Sequence, residues 1–186
     1  VIAFGMKDTV NNFAAGIWIA SMNLFEKGEE VTIAGHWGIV HEIGIMATQI
    51  TAAGSNIITI PNGMAWNDSI INYTRNPERR IDQSFGVSYE SDMTEVVQIA
   101  LSITRNHSAV LDRPEPVIIF SEMADSSVNF TIRCWTKTPD YYGTRADILR
   151  SLHAELITAG IEIPYPHMDI AFRNAIPEKK DDGFSV

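Results

Sequence analysis

Residues 11–25 read NNFAAGIWIASMNLF, and how this stretch is read decides the fold. It lacks proline and is apolar on nearly every helical face: Phe13, Ile17, Ala20 and Leu24 on one, Trp18, Ile19 and Met22 on others. A helix of that kind is buried all round, by protein or by lipid. Gly16 and Ala20, four apart, form a small-xxx-small pair that lets helix backbones approach closely. Phe13 to Phe25 carries no charge, but thirteen residues fall short of the ~20 that span a bilayer. Upstream, Val1, Ile2, Ala3 and Phe4 show no basic leader and no cleavage pattern, so the chain is expected to begin inside an element. Residues 1 to about 25 are therefore read as one helix, with Gly5 and Gly16 as its weak points.

Outward from this helix the periodicity changes twice. Between 29 and 74 come short β-branched runs, Val31–Ile33, Ile39–Ile43, Ala47–Ala52, Ile57–Ile60 and Ser69–Thr74, divided by Gly35, Gly38, Gly44 and Ala53-Gly54-Ser55-Asn56. Pro61-Asn62-Gly63 is read as a turn, because Asn-Gly accepts positive φ. So many short strands in so little chain predict a small barrel. From about 81 strands and helices alternate. Ile81–Tyr89 reads as strand, and Asp92 with Glu95 makes a capping-box-like start to a helix with Met93, Val96, Val97, Ala100 and Leu101 as its stripe. Val117–Phe120 and Val128–Trp135 follow as strands, the second with Val128, Phe130, Ile132 and Cys134 on one face. A last helix carries Tyr142, Ala146, Leu149, Leu152 and Leu156 as its stripe and Gly160 as its cap. The order βαββα predicts a ferredoxin-like α/β sandwich. Pro164-Tyr165-Pro166 breaks the chain before a short run, Met168–Phe172, and Glu178 to Gly183 reads as a frayed tail.

Composition narrows the function. Over 186 residues, 45% hydrophobic and 20% charged residues are ordinary for a core-forming protein. A net charge of −9 argues against nucleic acid as the main partner, because phosphate binding needs a basic surface. One cysteine, Cys134, excludes an internal disulfide and a multi-thiolate zinc site. His36, His41, His107, His153 and His167 lack metal-ligand spacing, with His36 and His41 in or beside different strands. Ser126 and Ser127 follow Asp125 without a nucleophile elbow or phosphate loop, and read as a turn between strands. No catalytic group and no cofactor is indicated, and the chain is read as not being an enzyme.

Eight phrases stand out along the chain: Asn11-Asn12-Phe13-Ala14-Ala15-Gly16, Gly28-Glu29, Gly35-His36-Trp37-Gly38-Ile39-Val40, Ile60-Pro61-Asn62-Gly63 and Ile71-Asn72-Tyr73-Thr74-Arg75, then Phe85-Gly86-Val87-Ser88-Tyr89, Asp125 to Phe130 and Gly160 to Pro166. In these phrases and their order the chain resembles the small-conductance mechanosensitive channel (MscS) family. The resemblance implies an α+β membrane-channel subunit. Residues 1–25 would be the lower part of a pore-lining transmembrane helix, 26–80 a small Sm-like β domain and 81–163 the α/β domain. Residues 164–173 would hold a C-terminal barrel strand, and 174–186 a flexible tail. It further implies a homoheptamer in the cell membrane, cytoplasmic from about residue 26, opened by membrane tension to release ions and small solutes on hypo-osmotic shock.

The family's pattern assigns roles residue by residue. Phe4 falls at an apolar constriction ring of the pore, a position usually aliphatic, where closure works by dewetting. Ala3, Gly5, Ala14, Ala15 and Gly16 fall at small positions that let neighbouring pore helices pack and slide, with Gly16 at the lower bend. Asp8 stands at the upper bend, where glycine is common. Phe25 and Lys27 remain of a lipid-proximal, usually basic segment, Asn23-Leu24-Phe25-Glu26-Lys27. The partners implied are further copies of the chain, membrane lipids and the permeating ions and solutes. The competing reading is a soluble Sm-like β-barrel binding module.

Overall fold

Alternating short apolar runs joined by tight turns build the first half of the protein. In the computed structural model, which describes residues 6–166 and Met168, strands β1 (Glu30–Ile33) and β2 (His36–Ile43) form a hairpin. Its two-residue turn, Ala34-Gly35, has positive φ at both positions, the twist that suits a right-handed ribbon. β3 (Ala47–Thr51) and β4 (Ile57–Pro61) extend the meander, and β5 (Ile70–Asn72) returns to pair with β1. The sheet order is β4-β3-β2-β1-β5, all antiparallel. Helix α1 (Lys7–Met22) lies before the sheet, and its Ile19 joins Phe25, Val31, Ile33, Val40 and Ile50 in one core.

Two expectations fail in this half. Pro61-Asn62-Gly63 is not a turn but the start of a short helix, α2 (Asn62–Asn67). Pro61 precedes its first residue, and Gly63 lacks the positive φ that the turn would need. Gly38 does not divide strands either; it lies inside β2, where a Cβ would meet the Thr51 carbonyl oxygen at 2.6 Å. His36 and His41 consequently share one strand, not two.

The second half folds around its own core. β6 (Glu78–Val87), α3 (Met93–Asn106), β7 (Val117–Met123), β8 (Val128–Lys137), a 3₁₀ turn (Thr138–Asp140) and α4 (Tyr141–Thr158) follow in order. The sheet order is β6-β8-β7, antiparallel, with both helices packed against it. β8 alternates buried and half-buried residues along nine positions, and Val128, Phe130, Ile132 and Cys134 point inward as expected. Asp92 caps α3 by accepting hydrogen bonds from the Thr94 and Glu95 amides, at 2.8 and 3.3 Å. Gly160, at φ +72°, closes α4: its amide donates to the Ile157 carbonyl at 3.0 Å and the Ile161 amide to that of Leu156 at 2.9 Å. Asp125 to Ser127 form the β7–β8 turn.

The stripe expected for α4 is rotated. Thr144, Ile148, Leu152 and Leu156 are buried, a row at i, i+4, whereas Tyr142, Ala146 and Leu149 face outward. A threonine on the core row and a tyrosine off it hid this from the hydrophobic pattern. Among the described residues no helix is long and apolar enough to cross a membrane. The C-terminal strand expected over 168–172, like Ala3, Phe4 and Gly5, lies outside the described residues, apart from Met168, which belongs to no strand.

Candidate functional site

The junction between α1 and the β domain is built around one buried amide. Asn62, the first residue of α2, is fully buried, and its Nδ2 donates to the carbonyls of Gly44 and Ile45, each at 2.9 Å. Its Oδ1 accepts from the Thr48 hydroxyl at 2.9 Å, and its backbone amide donates to Met46 at 3.0 Å. Both amide hydrogens and the carbonyl of the side chain are thereby used, which fixes the loop 44–46. Gly16 of α1 presses on that fixed loop. A Cβ there would overlap the Ile45 carbonyl oxygen and stand 2.5 Å from Asn62 Nδ2. One turn earlier Asn12 Oδ1 accepts from the Gly63 amide at 2.8 Å, and Trp18 stacks on Trp66 with ring centroids 6.3 Å apart.

The end of α1 is held by charge. Asn23 adopts the left-handed conformation after Met22, and its carbonyl accepts from the Arg75 guanidinium at 2.5 Å. Arg75 also pairs with Glu29 at 3.0 Å. Burial alone would raise the Glu29 carboxyl, but hydrogen bonds from Arg75, the Glu26 amide and Asn72 outweigh it and hold the group below the usual carboxylate range. In the α/β domain Asp82 behaves alike: burial raises it, and bonds from Arg133 and Arg80 bring it below its ordinary value. Burial pushes the Cys134 thiol up to about 11, with Asp82 adding to the effect.

These contacts relocate several residues assigned from sequence. Ala15 and Gly16 are buried within this chain, against the 44–46 loop and α2 side of the β domain, so the close packing they permit here is intramolecular. Phe25 is 1% exposed and packs in the β-domain core, which removes it from lipid contact. An apolar ring directly after a helix end is buried more favourably in an available core than at an interface. Lys27 and Asp8 are exposed and Ala14 is half-buried. Sequence reasoning gave no role to Asn62, Asn12 or Arg75. Asn62 was hidden because Asn-Gly signals a turn, and Arg75 because its partners Asn23 and Glu29 are remote in sequence.

What the junction leaves open is as telling as what it holds. Met6, Val10, Phe13 and Ile17 recur at helical spacing along one side of α1 and are 49–57% exposed. Beside them a groove of about 270 Å³ is lined by Phe13, Gly16, Ile17, Ala20, Ile43 and Ile45. No group of three histidine, cysteine or acidic side chains among the described residues is arranged to hold a metal ion.

The helix is seated by its C-terminal half on a β domain, with an apolar strip turned away from its own chain and an α/β domain beyond. Residues 8–75 match the family model described as mechanosensitive ion channel, beta-domain, and residues 81–163 that described as mechanosensitive ion channel MscS, C-terminal. The chain belongs to the MscS family, a family of mechanosensitive ion channels. It is 36% identical over 169 residues to an MscS family protein of Synechocystis, covering 91% of this chain and 57% of that protein. It is 31% identical over 180 residues to a small-conductance mechanosensitive channel of Edwardsiella ictaluri, covering 97% and 63%. The closed-state crystal structure of Helicobacter pylori MscS superposes with a TM-score of 0.86 at 29% identity, over 93% of this chain and 69% of that one. The chain thus spans 57% and 63% of the two curated relatives.

Proposed function

We propose that the protein is a subunit of a tension-gated channel, opened by stretch of the cell membrane to release ions and small solutes on hypo-osmotic shock. The observation that carries the reading is the half-exposed strip Met6, Val10, Phe13 and Ile17 on a helix anchored at its other face. A monomer gains nothing by leaving such a strip in water, whereas neighbouring copies and lipid would cover it. Lateral tension favours the state of larger membrane area, so the open population rises with stretch. In this reading Phe4 contributes an apolar ring that wets only when the helices move apart, and Ala3 and Gly5 let them pass. Asp8, Ala14 and Gly16 lie where the helix bends or packs, and Lys27 lies near lipid headgroups.

The assembly is read as a homoheptamer whose domains from about residue 26 enclose a cytoplasmic vestibule. The return of β5 to β1 supports an Sm-like β domain, and the order β6-β8-β7 supports a ferredoxin-like α/β domain. Residues 164–173 would add a strand to a closing barrel, ahead of the tail at 174–186. At −9 per copy the vestibule does not enrich anions. Similarity to named mechanosensitive channels favours this reading over a soluble Sm-like binding module. Patch-clamp recording of the full-length subunit under suction tests it: stretch-evoked currents are expected, without strong anion preference. Silent patches, with salt-dependent RNA binding by the purified chain, would move the assignment to the binding module.

A further inference from the structure

The joint between the two domains is polar, because each domain closes a separate apolar core. At its centre is Glu30, the first residue of β1, with its side chain 17% exposed. Oε1 accepts from Trp37 Nε1 at 2.9 Å and from the Tyr142 hydroxyl at 2.6 Å, and Oε2 faces Arg79 at 3.4 Å. The Arg79 guanidinium lies 3.8 Å from the centroid of the Tyr141 ring and 4.8 Å from that of Tyr73, and its side chain is 19% exposed. Tyr141 and Tyr142 meet edge to face at 5.1 Å. Glu30, Trp37 and Tyr73 belong to the β domain, whereas Arg79 is the second residue of β6 and the two tyrosines open α4. The preceding residue, Glu29, holds Arg75, which bonds the carbonyl at the end of α1. Two adjacent carboxylates, Glu29 just before β1 and Glu30 at its start, therefore face opposite ways along the molecule, one to the helix end and one to the α/β domain.

The geometry points to Glu30 as a latch that sets the position of the α/β domain against the β domain and, through Glu29 and Arg75, against the end of α1. Tyr142 is what makes it a latch. Turned off the core row of α4, it packs at the rim of its domain beside Tyr141 and Arg79, and its hydroxyl ends on the other domain. A charge-assisted bond and a cation stacked on aromatic rings, both partly desolvated, give the joint one preferred arrangement, where exposed charges alone would leave it loose. The mechanical role for α1 rests on the channel reading; the latch itself does not.

Hydrogen exchange on the full-length assembly tests it, comparing the unmodified protein with Tyr142→Phe, Glu30→Ala and the double variant. Tyr142→Phe keeps the ring and deletes only the hydroxyl, so it decides the matter even if Glu30→Ala fails to fold. Exchange in residues 73–80 and 138–143 is expected to rise about threefold or more in each single variant. The double variant should exchange no faster than Glu30→Ala, because that variant has already lost the Tyr142–Glu30 bond. Unchanged exchange in Tyr142→Phe, or fully additive effects, would overturn the latch. Under held suction, Tyr142→Phe channels should close at a rate altered by about twofold or more with conductance unchanged. An unaltered closing rate would overturn the link to α1. If the unmodified subunit gives no current, the channel reading fails while the exchange data still judge the latch.

Discussion

Helices α1 and α4 both lie against an antiparallel sheet, yet they are held by opposite means. α4 buries a full row, Thr144, Ile148, Leu152 and Leu156, and ends in a glycine cap that folds Ile161 back into the same core. α1 buries only Ala15, Gly16 and Ile19 of its sixteen residues, and its large side chains Phe13, Ile17 and Trp18 stay about half exposed. Burial by apolar area seats α4. Close backbone approach at Gly16, the Asn12–Gly63 bond and the Arg75 cap seat α1. The first device makes a domain self-sufficient; the second fixes a helix while leaving its apolar face for something else.

The contrast is broken most sharply by Leu152→Ala. Emptying a fully packed site on α4 should lower stability by about 2–5 kcal/mol in urea unfolding. Gly16→Val attacks the other seat. Its side chain would meet the Ile45 carbonyl and the fixed Asn62 amide, so a loss of about 1–3 kcal/mol is expected, against the gain that replacing a helical glycine normally brings. Thermal melts that rise instead would show that α1 is not pinned there. Asp92→Ala removes the α3 cap and should cost about 1 kcal/mol.

Acid should loosen the two charge-held sites. The carboxyls of Glu29 and Asp82 sit below their unfolded values, so their contribution is complete above the ordinary carboxylate pKa and is lost as pH falls through the depressed folded value. Equilibrium unfolding followed downward from neutral pH should show this loss, and Glu29→Gln should flatten it. Smallest of all is Phe13→Ala, which should leave the unfolding midpoint of this chain within about 0.5 kcal/mol, because the ring packs on little. A larger loss would mean that α1 is seated by burial after all.

Much of this was legible along the chain. Strand periodicity placed β1 to β5 to within a few residues, because alternation and β-branching are local properties of a half-buried strand. The Asp92 cap, the Gly160 stop and the inward face of β8 were equally local. The site was not. Asn62 carries its role through partners at 44, 45 and 48 and through α1, contacts that exist only after the chain has doubled back. Phe25 was assigned near lipid from the family's pattern, whereas here it packs in the chain's own core.

The sequence by itself determined every strand and every helix but the short α2, where two of the helices are capped, and to which family the chain is similar, since these depend on side chains within a few positions of one another. Tertiary structure alone decided that α4 is rotated to bury Thr144 and turn Tyr142 off the core row, that Gly16 serves an intramolecular seat, and that Glu30 stands between two domains. Hydrophobic patterning records how much apolar surface a helix offers, but the side that faces inward is set by which partner surface can be packed without leaving a polar group unpaired.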